Sequence, residues 1–180
     1  MKKVIVTFCA ALVLFASCAK EGPDFFKGVY GYKTSGSLVC EYTDTVDSKP
    51  QRLSRIMPLA MEQGIMHVEP HGGGMVLTMS ATGSDAYVFD ASVSGTEITL
   101  SPIKRKVRVL VESAPESSEL PSVQTVKSVD VTVRGKGYKT NGLMVLDLEC
   151  EGEDFTVESL TDTVTYHITG SDVRCVANME

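Results

Sequence analysis

Val131-Thr132-Val133-Arg134-Gly135-Lys136-Gly137-Tyr138-Lys139-Thr140, then Asn141-Gly142, then Leu143-Met144-Val145-Leu146-Asp147-Leu148-Glu149-Cys150, is the stretch that decides the fold. Asn-Gly favours a two-residue type I′ turn, because both central residues need positive φ. Counting outward places Thr140 opposite Leu143, Tyr138 opposite Val145, Lys136 opposite Asp147 and Arg134 opposite Glu149. Side chains alternate along a strand, so these residues share one face and offer two opposite-charge pairs. The other face carries Val131, Val133, Gly135 and Gly137 with Cys150, Leu148, Leu146 and Met144. Turn chemistry, charge pairing and alternation agree on one register, and a one-residue slip would turn every side chain to the wrong face. The stretch reads as an antiparallel hairpin with a charged wet face and an aliphatic dry face.

The same pattern continues on both sides. A second hairpin is expected at Ser94-Gly95, with Ala91 opposite Ile98 and Phe89 opposite Leu100. Before it, Met75, Leu77 and Met79 alternate with Val76, Thr78 and Ser80, and Thr82-Gly83-Ser84-Asp85 loops into Tyr87 and Phe89. Strands are expected at 27–34, 37–43, 52–57, 64–69, 74–81, 86–93, 96–101, 104–112, 123–136, 138–150, 154–159, 163–169 and 172–177. Residues 58–63 have room for one helical turn, and 44–50 and 113–122 read as loops. Many short strands between Gly, Asn, Asp, Ser and Pro signal an all-β domain. The expected architecture is an antiparallel up-and-down β-barrel, with a β-sandwich as the alternative. Gly31-Tyr32-Lys33-Thr34-Ser35-Gly36 echoes Gly137-Tyr138-Lys139-Thr140-Asn141-Gly142 and is expected to form a second hairpin of the same turn chemistry.

The N-terminus is of a different kind. Met1-Lys2-Lys3 precedes an apolar run from Val4 to Ala16, broken only by Thr7, and then Phe15-Ala16-Ser17-Cys18. The run is shorter than the roughly 20 residues that span a bilayer, and its charged start and small-residue end mark a removable signal. It resembles a bacterial lipoprotein signal, in which the cysteine after small residues receives diacylglycerol. The resemblance implies lipidation at Cys18, a signal peptide over 1–17 and a lipid-anchored tether over 18–26; the run of strands beyond makes 27–180 a single all-β domain. Two or more acyl chains anchor stably where one does not, so the membrane is an expected partner through the N-terminal acyl chains. Lys20, Glu21 and Asp24 resemble the charged stretch that follows this cysteine in surface-exported Bacteroidota-type lipoproteins; a plain flexible tether accounts for them equally. The implied location is the bacterial outer membrane, on its periplasmic or surface-exposed face.

Without Lys2 and Lys3, 15 basic residues face 23 acidic ones, a net charge of −8. That balance excludes nucleic acid as an expected partner, because its binding is dominated by cationic contacts to phosphate. Cys9 leaves with the signal, and Cys40, Cys150 and Cys175 remain. An exported protein allows one disulfide plus one thiol. Each of the three sits in an apolar strand-like run, which favours buried free thiols.

Gly28-Val29-Tyr30, opening a β-meander on a lipidated tether, resembles the lipocalin-like or calycin-like lipoproteins, with Tyr30 where classical lipocalins carry Trp. The resemblance implies a cup that accepts a small apolar ligand, here lined by Met75, Met79, Phe89 and Met144. A barrel filled by its own side chains is the alternative; such a protein would serve as a structural or interaction subunit with an envelope protein as partner.

Other constellations are weaker. His67, Glu69 and His71 would share a strand face and offer a zinc-like ligand set, with His167 as a distant fourth. Pro70 and Gly72-Gly73-Gly74 favour instead a polar strand end entering a turn. The glycines lack the Lys-Ser/Thr and helix of a phosphate loop. Residues 104–108, Lys-Arg-Lys-Val-Arg, offer an anion-docking patch or a solvated strand with Val107, Val109 and Val111 inward. No Gly-x-Ser-x-Gly occurs, and no catalytic residue, cofactor or metal is expected; the chain does not read as an enzyme.

Overall fold

The computed structural model describes residues 22–113, 123–158 and 163–180. The signal, Cys18 and most of the 113–122 loop lie outside the described residues. In chain order the elements are α1 (Pro23–Phe26), β1 (Gly28–Val46), β2 (Lys49–Pro58), β3 (Glu62–His71), β4 (Gly74–Ala81), β5 (Tyr87–Ser94), β6 (Glu97–Ser113), β7 (Val123–Thr140), β8 (Leu143–Gly152), β9 (Phe155–Glu158) and β10 (Thr163–Met179). No described helix is long and apolar enough to cross a membrane.

The β7–β8 hairpin forms as its sequence requires. Asn141 and Gly142 take φ of 46° and 81°, and Thr140–Leu143, Tyr138–Val145 and Arg134–Glu149 are register partners. Arg134 reaches both Glu149 and Glu151 at 2.7 Å. Asp147 is opposite Lys136 as expected, but its ion pair is with Arg174 of β10, at 2.8 Å.

Antiparallel pairing runs β1-β3-β4-β5-β6-β7-β8-β10, and β10 pairs back onto β1. These eight strands close an up-and-down barrel, which removes the edges an open sheet would expose. β2 and β9 flank the far halves of β1 and β10. Beyond the barrel the sheet therefore splits into two layers, β2-β1-β10-β9 and the long β6–β7 hairpin. One hydrophobic core runs through both parts. Leu38, Cys40, Met57, Val109, Val111 and Val129 fill the layered part, next to the ring contacts of Tyr166 with Tyr42 (5.2 Å) and Phe155 (5.6 Å).

Three long strands each replace two shorter expected ones. β1 passes through Ser35-Gly36, β6 through Ser101-Pro102, and β10 through Gly170-Ser171. Gly36 takes φ of 150°, and a Cβ there would run into the Asp172 carbonyl and Val173. Glycine at this point bends β1 without ending it, so its first half pairs β3 and its second half β2. The echo of residues 137–142 at 31–36 is thus a strand bend, not a hairpin. Pro102 sits in a register shift between Leu100 and Ile103, where a missing N–H is tolerated. Gly36→Ala is expected to cost about 1–3 kcal/mol through forced overpacking, read as an earlier urea midpoint; an unchanged midpoint would remove this role for Gly36.

Three further expectations are corrected. The β5–β6 turn is Gly95-Thr96, not Ser94-Gly95, and pairs Ala91 with Leu100 and Val93 with Ile98. Gly95 takes φ of 59° as the first central residue, the type II′ pattern suited to strand twist. The shift is two residues, so the faces are unchanged. Residues 44–50 are the end of a hairpin, turning at Asp47 and Ser48 with φ of 53° and 62°. Residues 58–63 contain no helical turn: Leu59 bridges to Val109, and its N–H donates to Gly36 O at 2.8 Å.

The barrel is sealed at the N-terminal end by α1, within the segment expected to be tether. Phe26 is fully buried there, and Tyr30 Oη donates to Phe26 O at 2.6 Å. Lys139 Nζ donates to Phe25 O at 2.6 Å and lies 5.0 Å from the Phe25 ring and 5.3 Å from the Tyr30 ring. Burial depresses the pKa of this ammonium.

Candidate functional site

Met75, Met79, Phe89 and Met144 face the barrel interior, where the sequence places them, and none is more than 1% exposed. Tyr30, Met66, Leu77, Leu146, Cys175 and Ala177 pack with them and show no accessible surface. A water-sized void would leave accessible area on the side chains around it. These side chains therefore leave no water-sized gap between them, as in a close-packed core.

Above this core lies a polar cluster. Glu62 opens β3, and its Oε1 accepts from Tyr32 Oη of β1 at 3.1 Å and from Tyr87 Oη of β5 at 2.6 Å. Arg105 of β6 donates to Oε2 through Nη2 at 2.6 Å and to Oε1 through Nη1 at 3.5 Å. The guanidinium carbon also stands 3.6 Å over the Tyr87 ring. Only 13% of the Arg105 side chain and 11% of the Glu62 side chain are exposed. Burial alone would raise the Glu62 pKa, but Arg105, Tyr87 and Tyr32 outweigh it and hold the carboxyl below its ordinary value. Burial and the neighbouring Glu62 push both tyrosine hydroxyls well above theirs. The carboxylate is ionised and engaged on both oxygens, which suits a clamp across the barrel mouth and not proton transfer.

Next to the clamp is a cavity of about 50 Å³, lined by Thr34, Glu62, Arg105, Cys150 and Val173 among others. Its volume is that of one or two waters, not of an organic ligand. Outside it, an open groove of about 1210 Å³ crosses the outer face of β6–β7, between the β4–β5 loop and residues 151–153. Lys104, Lys106 and Arg108 line it, with Asp85, Asp130, Glu151 and Glu153. Val109 and Val111 are buried and Arg108 is exposed, as the solvated-strand reading expects. Arg105 alone of the basic cluster turns inward. Among the described residues, Lys104, Lys106 and Arg108 form no ion pair.

His67, Glu69 and His71 lie exposed on one face of β3, which runs on through Pro70 to His71. Pro70 is tolerated because β1 pairs β3 only as far as Val68, so its missing N–H leaves no partner unsatisfied. Among the described residues no three His, Cys, Asp or Glu side chains come close enough to hold a metal. His167 is elsewhere, its Nδ1 2.6 Å from Asp154. Gly72 and Gly73 make the β3–β4 turn at φ of 56° and 85°. Cys40, Cys150 and Cys175 are free and buried, and burial pushes each thiol up to about 11. They are thiols, not thiolate nucleophiles, at neutral pH.

The clamp was missed by sequence reasoning. Glu62 is 30, 25 and 43 residues from Tyr32, Tyr87 and Arg105; only ring closure brings them together. The available signal was parity: Arg105 alternates in phase with the inward Val107, Val109 and Val111.

The chain matches no protein-family model and no curated protein.

Proposed function

We propose that the chain is a lipid-anchored lipoprotein of the bacterial outer membrane, and that its domain is a solid-core structural or interaction subunit without enzymatic activity. The filled barrel is the observation that carries this reading. The ten interior side chains named above, from six strands, are at most 1% exposed, and both barrel ends are occupied, one by α1 and the other by the Glu62–Arg105 clamp. The site residues form a brace, and the open surface beside them is polar. The closed eight-strand meander and Gly28-Val29-Tyr30 at its start support a lipocalin-like origin. The carrier reading draws on the interior methionines Met66, Met75, Met79 and Met144, because methionine repacks around irregular ligands; it is the alternative.

Native mass spectrometry of the protein extracted from its own membrane is the test. The expected mass is that of the chain from Cys18 onward plus acyl chains, with nothing else bound. A stoichiometric extra mass of an apolar small molecule would favour the carrier. Metabolic labelling with palmitate is expected to mark the wild type and to be abolished in Cys18→Ala, which should leave the membrane fraction. Undiminished labelling of Cys18→Ala would refute the anchor.

A further inference from the structure

We propose that the barrel end sealed by α1 faces the lipid surface, and that the hairpin end points away from it. The proposal rests on lipidation of Cys18. Four residue steps separate Cys18 from Gly22, and a chain spans at most about 3.6 Å per step, so the tether reaches no more than about 14 Å. Its end is fixed in place: Gly22 N–H donates to Gly95 O in the β5–β6 turn at 3.4 Å.

Among the described residues, nothing at that end holds the bilayer off. The connections there are the two-residue turns Gly72-Gly73, Gly95-Thr96 and Asn141-Gly142. The C-terminus is tied down beside them, with Met179 N–H on Gly142 O and Glu180 N–H on Val29 O. Val29 and Met179 leave an exposed apolar rim. The longer described connections, 59–61 and 82–86, lie toward the other end, as do the tips of the β1–β2 and β6–β7 hairpins. From Glu97 to Ser113, β6 runs about 55 Å along the strand, or about 40 Å in height at the usual barrel tilt. The short tether cannot bring those hairpin tips to the headgroups unless the domain lies on its side. The net charge of −8 on the part after the signal gives a broad lateral contact with anionic lipid no electrostatic support. The groove across β6–β7 then opens sideways, clear of the headgroups.

The chain has no Trp, so one introduced Trp reports alone. Full-length lipidated Thr96→Trp and Gln51→Trp proteins are reconstituted into phosphatidylcholine vesicles carrying a headgroup nitroxide lipid, and vesicle binding is checked by flotation. Thr96 is in the α1-end turn and Gln51 near the β1–β2 tip; both are exposed. The expected result is loss of most emission from Thr96→Trp and no loss from Gln51→Trp. Equal quenching, the reverse order, or no quenching of Thr96→Trp in protein that floats would overturn the orientation while leaving the anchor standing. If wild type floats no better than Cys18→Ala, the anchor fails and the orientation falls with it.

Discussion

Phe89→Ala is expected to cost about 3–5 kcal/mol, the range for deleting a fully buried phenylalanine. For a domain of this size that lowers the melting temperature by roughly 6–20 °C. Phe89 is on β5, pairs in register with Leu77 and meets the Tyr87 ring edge-on at 5.7 Å. Its removal loses transfer free energy and leaves a cavity that the closed ring of strands cannot collapse around. Val88→Ala, one residue along on the outer face and 49% exposed, serves as the control and should fall within about 0.5 kcal/mol of wild type. Urea unfolding of both variants checks the contrast. A Phe89→Ala loss below about 1 kcal/mol would mean that the interior is not packed as described.

Arg105→Met is expected to be nearly as damaging, at about 3–5 kcal/mol, because it strands the buried Glu62 carboxylate without its cation. Glu62→Gln combined with Arg105→Met should recover part of that loss, since the double variant leaves no unpaired charge. A strictly additive cycle would contradict the clamp. The clamp also has a pH signature. The folded pKa of Glu62 lies below its ordinary value of 4.5, so its contribution to stability is complete above the unfolded pKa. That contribution is lost as pH falls through the folded pKa. Glu62→Gln should lose stability at neutral pH and show a shallower acid dependence than wild type.

The strands were legible because period-2 alternation is local. Asn141-Gly142 and the Arg134–Glu149 pair sit within one hairpin, and the inward positions of Met75, Leu77, Met79 and Phe89 follow from parity alone. Strand ends were harder to read. Gly36 and Pro102 signal breaks in isolation, yet in a closed sheet they mark where a long strand bends against a neighbour. Proline and glycine relieve close backbone approach as readily as they end an element. α1 was hidden because four residues carry no periodicity; Phe25 and Phe26 form it only by filling the barrel end. The free buried cysteines followed from their apolar runs. The clamp did not, because its four residues belong to four strands and meet only through topology.

The filled interior is tested most directly by titrating the domain from residue 22 onward with an apolar fluorescent dye, Phe89→Ala being run beside it. Wild type is expected to give no saturable emission increase, and the cavity variant to take up dye at one site. Saturable one-to-one dye uptake by the wild type, displaced by an apolar competitor, would contradict the solid core and restore the carrier reading.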